Sequence, residues 1–447
     1  MPRFPARLAP ALVAALLLFA VLCAGCAGSR VTATSRHSTP TPTATASPLS
    51  HTALYASTGT RLVAMRASDG QESWHIGDWT WPIPSGGAEV VFGPGAPVAD
   101  GGVLLATSPA DHTGIPTAYA FNPADGSIRW SAPLAGCVTN GPPLVVNGVL
   151  YVALTGHANS NLDCGPTGWV YALREADGAV LWRKPFANGV SPSLSLTDGV
   201  LVVLNDNYPN PSETAYLTGL RISDGAQLWQ VQRPSGGGWA FPAATDGVAV
   251  LGRVLGNGAM GKATMVIEAF HIADGAFMWQ AEVALRLAGS IEGVANGLVY
   301  VHSDLGELYA LRLTDGSVAW SYVTADTRYI SPLALVGGNL YFGDGPGVVE
   351  LDAASGTLVR AYTLAPSGSP TRTADDSPTL WTQPVLAGGA IFVAGAVFQD
   401  RFPNTLPNWT LYAFDQASGR VLWQKSSPPG SGYSALIAME LPTDGTG

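Results

Sequence analysis

The sequence predicts an all-β fold: an eight-bladed β-propeller of four-stranded antiparallel blades, closed by pairing of its N- and C-terminal strands. Three observations lead there. A strand–turn–Trp motif recurs eight times, a second hairpin signal precedes the copies, and the two ends of the chain each supply part of one blade. Composition agrees, since only 12% of the 447 residues are charged while 53 are Gly and 34 are Pro. Such a balance favours turn-rich β structure over long helices.

The motif is an apolar strand, often Tyr-Ala-Leu, then Asp-Gly or Ser-Gly, then three residues and a Trp. Its turn glycines are Gly70, Gly126, Gly178, Gly225, Gly275, Gly316, Gly356 and Gly419. They lie about 50 residues apart on average, a period read as an array or propeller. The tryptophans are Trp74, Trp130, Trp182, Trp229, Trp279, Trp320 and Trp423, and the seventh copy has Arg360 instead. Alternation in Tyr171-Ala172-Leu173 marks a strand with one buried face. Asp-Gly supplies the positive φ of a tight hairpin, and an indole at a fixed offset can wedge between neighbouring sheets.

The second hairpin signal is exemplified by Pro143 to Tyr151, which turns at Asn147-Gly148, and by Pro332 to Tyr341. Two hairpins per copy make the four strands of a blade. The first copy begins at Ala53-Leu54-Tyr55 without an inner strand, and an orphan strand, Ala435 to Met439, follows the last Trp. Pairing them completes a blade and removes two open sheet edges. A seven-bladed ring with one degenerate copy is the alternative.

Ahead of the propeller, Arg3 and Arg7 precede an apolar run from Leu8 to Cys23. Residues 1–25 therefore read as an export signal, the run being short for a membrane span. The ending Leu22-Cys23-Ala24-Gly25-Cys26 resembles a bacterial lipobox, although Cys23 stands where such motifs usually have Leu. The resemblance implies a lipid on Cys26 and attachment to the outer face of the cell membrane or the periplasmic face of the envelope. A plain signal peptide cut near Ala27 is the alternative. The rest of segment 26–50 is mostly Ser, Thr, Pro and Ala and reads as a disordered tether, leaving 51–447 for the propeller. A formal charge of −10 without a basic stripe excludes nucleic acid as a partner.

Leu351-Asp352-Ala353-Ala354-Ser355-Gly356 and Tyr412 to Trp423 resemble the repeats of pyrroloquinoline-quinone (PQQ) dehydrogenases, and the resemblance runs over about residues 51 to 440. It implies the propeller fold and raises one enzymatic alternative, a PQQ-dependent dehydrogenase acting on an alcohol or sugar with calcium. Members with that activity carry an adjacent Cys-Cys disulfide and a carboxylate-held metal. Here Cys26, Cys137 and Cys164 are not adjacent and no ligand set can be placed, so no cofactor and no metal site are expected. The chain is similar in anchor and blade type to lipoprotein scaffolds of outer-membrane β-barrel assembly. Cys137 and Cys164 are expected to form a structural disulfide in an exported domain.

Other motifs lose their force in context. Gly256 to Ala263 approaches a phosphate-binding loop, but a strand-like run follows where a helix is required. Asn205-Asp206-Asn207 lacks the spacing of a calcium loop. Asp375-Asp376 does not establish the facing carboxylates of a glycosidase.

Spare aromatics remain. Trp239 and Trp381 each stand three residues before a Pro, as does Tyr329 beside Arg328, while Trp79 and Trp81 form a second patch. They read either as cover over the inner strands or as a site for a protein, peptide or glycan. The functional expectation is a monomeric, non-catalytic, envelope-anchored binding or scaffold protein.

Overall fold

The computed structural model describes residues 48–441 apart from 58–60, 77–96, 101, 109–115, 137–142, 155–166, 188–193, 206–213, 235–237, 256–262, 287–288, 304, 325–329, 365–378, 381, 397–408, 428–431 and 434. These residues form eight antiparallel sheets. Blade 1 comprises Thr52–Ser57, Leu62–Arg66 and Glu72–Ile76, with Ala435–Glu440 as its inner strand. Blade 2 spans 98–133, blade 3 144–186, blade 4 194–233, blade 5 238–285, blade 6 289–323 and blade 7 334–363. In blade 8, which ends at Ser426, the inner strand is broken into Thr379–Leu380 and Val385–Ala387, and both pieces pair with Ala390–Ala396.

The closing strand pairs as the sequence implies, Tyr55 opposite Ile437 and Ala53 opposite Met439. The Leu441 N–H extends the pairing to the His51 carbonyl at 2.7 Å. Eight sheets exclude the seven-bladed alternative.

Apolar side chains on both faces of the sheets gather into eight clusters, one between each pair of consecutive blades. The cluster holding Leu54, Met65, Phe392 and Leu411 joins blade 8 to blade 1 and closes the ring. Strand alternation gives the ring two unlike faces. Inner and outer hairpin turns share one end of each blade, here the turn face. Connections from the second to the third strand, and from each blade to the next, leave from the opposite end, the loop face. At the turn face Asn147 and Gly148 have φ of 52° and 74°, as a tight Asn-Gly turn requires.

Seven of the eight seams between blades are fastened by the repeat tryptophan. Its N–H donates to the carbonyl three residues before the next blade's turn glycine, at 2.6 to 3.1 Å, from Trp74 to Pro123 through Trp423 to Ala67. The ring covers that glycine so closely that a Cβ there would stand 2.5 to 2.8 Å from it. The positive φ and the indole together therefore demand Gly. Room for the indole comes from the third strand of its own blade. The residue opposite Trp is Ala64, Ala120, Ala172, Gly219, Ala269, Ala310 or Ala413, and a β-bulge follows it in every blade.

The blade 7–8 seam departs from all of this. Arg360 replaces Trp, and Glu350 replaces the small residue opposite. Arg360 Nη1 donates to the Gln416 carbonyl at 2.9 Å, the position that accepts an indole elsewhere, and also to that of Ala417. Buried Glu350 accepts from Asn339 Nδ2 and Tyr341 Oη at 2.7 and 2.8 Å through one oxygen, and from Tyr362 Oη at 2.7 Å through the other. Burial, followed by the hydrogen bond to Glu350, pushes both tyrosine hydroxyls up.

Candidate functional site

Strand topology places the inner strands around the axis, so polar side chains on them are the first candidates for a site. The strongest such group lies between blades 6 and 7. Strand pairing aligns one position just ahead of the innermost residues of all eight blades. It holds Pro97, Pro143, Pro242 and Pro384 in four blades and Leu194, Leu333 and Leu436 in three. In blade 6 it holds Glu292, the extra residue of a bulge between Ile291 and Gly293.

The Glu292 side chain is only 11% exposed. One oxygen receives the Ser290 hydroxyl and stands 2.9 Å from His302 Nδ1, and the other accepts the Leu333 N–H at 3.0 Å. A proline at position 333 would present no N–H; leucine does, and the carboxylate satisfies it. Gln383 donates from blade 8 to the Leu333 carbonyl, so the backbone of one residue is held from both neighbouring blades. Burial alone would raise the Glu292 carboxyl. The hydrogen bond from His302, its charge, the Ser290 hydroxyl and the Leu333 N–H outweigh burial and hold it below the ordinary value.

Ser290, His302 and Glu292 contain the residue types of a hydrolytic triad, but not its geometry. A triad needs the acid and the nucleophile on opposite imidazole nitrogens. Here Glu292 Oε1 and Ser290 Oγ both face Nδ1, at 2.9 and 3.4 Å, and the hydroxyl donates to the carboxylate. The group is a fastening. Among the described residues no group of three or more His, Cys, Asp or Glu could hold a metal ion. Glu292 itself is committed to Ser290, His302 and Leu333.

Most residues singled out from the sequence fall elsewhere. Cys26, Trp79, Trp81, Cys137, Cys164, Arg328, Tyr329 and Trp381 lie outside the described residues. Trp79, Trp81, Cys137, Cys164, Arg328 and Tyr329 belong to connecting segments whose described flanks open on the loop face, while Trp381 falls between the two pieces of blade 8's inner strand. Trp239 lies in the inner strand of blade 5, with its backbone opposite Arg253. The same ladder position holds Gly289, Ile330 and Leu380 in blades 6 to 8. Three residues before a proline is therefore not one place in the ladder. Glu292 escaped sequence reading, although a Glu where sister repeats have Pro was the available signal.

Comparisons with known proteins follow the architecture. The family model described as outer membrane protein assembly factor BamB, a PQQ-type repeat model, matches residues 59–165, 164–292, 262–359 and 326–438. The outer membrane protein assembly factor BamB of Yersinia pestis is 25% identical over 272 residues, 56% of this chain and 60% of that protein. Its counterpart from Moranella endobia is 24% identical over 267 residues, 55% and 60% of the two chains. This chain thus spans about three-fifths of the length of the curated relatives it matches. Among solved structures, dihydro-heme d1 dehydrogenase NirN in complex with DHE aligns with a TM-score of 0.56 at 11% identity, over 88% of this chain and 75% of that one. That likeness concerns the fold alone.

Proposed function

The chain belongs to the PQQ-like propeller family whose model is described as outer membrane protein assembly factor BamB, and from that premise we propose that it is a non-catalytic scaffold of the cell envelope that holds protein partners during outer-membrane protein assembly. The match of the family model along residues 59–438 is the observation that carries this reading. The commitment of Glu292, His302 and Ser290 to one another and to Leu333 supports it, because those groups serve the frame.

In this reading the protein is exported, lipidated at Cys26 and carried on the 26–50 tether as a monomer, with Cys137 and Cys164 bridged. Its ligand, a protein, peptide or glycan, meets the loop face through Trp239, Trp381, Tyr329, Arg328, Trp79 and Trp81. A photo-crosslinking residue placed at Trp239 or Trp381 of the full chain in cells tests it. Covalent capture of a β-barrel protein or of an assembly component is expected. Dye-linked oxidation of an alcohol or sugar by the purified protein with PQQ and calcium would overturn the reading, as would an absence of crosslinks at both positions.

A further inference from the structure

The ring contains seven filled copies of one binding geometry and an eighth that is only partly filled. In the seven, an indole lies on a turn glycine and its N–H reaches the carbonyl three residues earlier. At Gly419 the geometry of the receiving blade is unchanged. The glycine has φ of 76°, its N–H bonds to the Asp415 carbonyl at 2.8 Å, and the Gln416 carbonyl points back at blade 7. The difference lies in what covers it. The position a Cβ would take has only Tyr362 Cδ1 within 4 Å, at 3.6 Å, where the other seven have several indole atoms. Gly419 is half-buried, whereas six of the seven indole-covered glycines are buried.

We propose that this partly filled seat, between the outer strand of blade 7 and the turn of blade 8, is a docking site for a tryptophan side chain of a partner protein.

The seven internal copies identify the occupant, since each shows which side chain the glycine and carbonyl accept. The surroundings suit it. Leu358 and Val359 are 56% and 52% exposed on blade 7, and Val421 and Leu422 are 37% and 46% exposed on blade 8. Arg360, with its guanidinium 5.7 Å from the Tyr362 ring centroid, is an exposed cation that can transfer to the face of an incoming indole. Its bond to the Gln416 carbonyl is the one an indole N–H would replace. The outer strand of blade 7 carries Arg360 and no acid, which favours a partner segment with an acidic residue beside its Trp. The seat is separate from the loop face, so its failure would leave the scaffold reading standing.

The test is a titration of methyl-labelled protein with N-acetyl-tryptophanamide, followed by NMR. Saturable shifts are expected for Leu358, Val359, Val421 and Leu422. None is expected for Val180 and Leu181, equally exposed but beside the filled Trp182 seat. The variant Glu350→Ala/Arg360→Trp places an indole and a small residue as in the other seams, and is expected to bind the probe at least tenfold more weakly. Absence of saturation, equal shifts at blade 3, or undiminished binding by the filled variant would each overturn the proposal. If that variant fails to fold, the comparison of blades 7–8 with blade 3 in the unaltered protein decides.

Discussion

The seam between blades 5 and 6 and the seam between blades 7 and 8 are built from the same repeat and fastened by different physics. At the first, Trp279 is buried, its Nε1 2.8 Å from the Leu313 carbonyl oxygen and its ring on Gly316, while Arg286 pairs with Glu307 at 3.3 Å elsewhere along the same seam. At the second, Arg360 reaches the equivalent carbonyl while a buried carboxylate gathers two tyrosine hydroxyls and an amide. An indole meets both needs of the seam, area and one hydrogen bond, with no charge to desolvate. Arg360 meets only the hydrogen bond, so the buried polar network must supply the rest, and such networks hold only while every member is satisfied.

The largest expected effect tests the apolar seam. Trp279→Ala removes a buried indole and is expected to cost about 3–5 kcal/mol, measured by urea unfolding. A loss no larger than that of an exposed rim substitution would break the comparison. Next comes the polar seam. Glu350→Ala leaves the Tyr341 hydroxyl without its acceptor and the Tyr362 hydroxyl with the Gln416 carbonyl at 3.3 Å alone, and is expected to cost about 1–3 kcal/mol in the same assay.

The two seams should also be interconvertible. Tyr55 and Tyr300, which occupy the ladder position of Tyr341, donate to the turn carbonyls of Pro123 and Ala353 at 2.9 and 3.2 Å. Adding Arg360→Trp to Glu350→Ala gives Tyr341 that same acceptor, so the second change is expected to recover about 1 kcal/mol or more of the loss. A double-mutant cycle without coupling would show that the residues at 350 and 360 are independent.

A smaller effect concerns Glu292. Its carboxyl is held below the ordinary value of 4.5, so the stability it contributes is present above that pH. That contribution is lost as pH falls through the depressed value. Glu292→Gln should therefore flatten the acid side of the stability profile, and parallel profiles below pH 4.5 would contradict the assignment. The smallest effect belongs to the turn face, where Arg174 and Asp177 pair at 2.8 Å in full solvent. Arg174→Gln should leave the unfolding midpoint unchanged within error.

Blade number and ring closure could be read from the sequence because their signals are local and repeated. An Asp-Gly turn, a Trp five residues beyond each turn's start and an orphan terminal strand need no knowledge of neighbours. The indole's role as a wedge was legible in outline. Its target, a glycine and a carbonyl of the next blade, was not, because Trp279 and Gly316 meet only once blades pack. Arg360 was visible as a departure, but its partner at 350 requires the bulged register of blade 7. Glu292 stands four residues before its Asn-Gly turn, where four sister repeats have Pro, so its oddity was legible, but the bulge that seats it emerges only from the pairing. The aromatic candidates on the loop face rest on segments such as 77–96 and 325–329, where no repeat constrains the chain and composition alone guides the eye.

The most direct test of the division between seven turns covered by an indole and one served by Arg360 is hydrogen exchange at the eight turn glycines. All eight of these amides donate to the carbonyl four residues earlier, as Gly316 does to Arg312 and Gly419 to Asp415, both at 2.8 Å. With local hydrogen bonding this similar, differences in protection report what covers the turn. Gly419 is expected to exchange at least tenfold faster than Gly126, Gly225 and Gly316, and to slow toward them in Glu350→Ala/Arg360→Trp. Uniform protection at all eight turns would contradict the account and show that Arg360 and its network close their seam as tightly as an indole does.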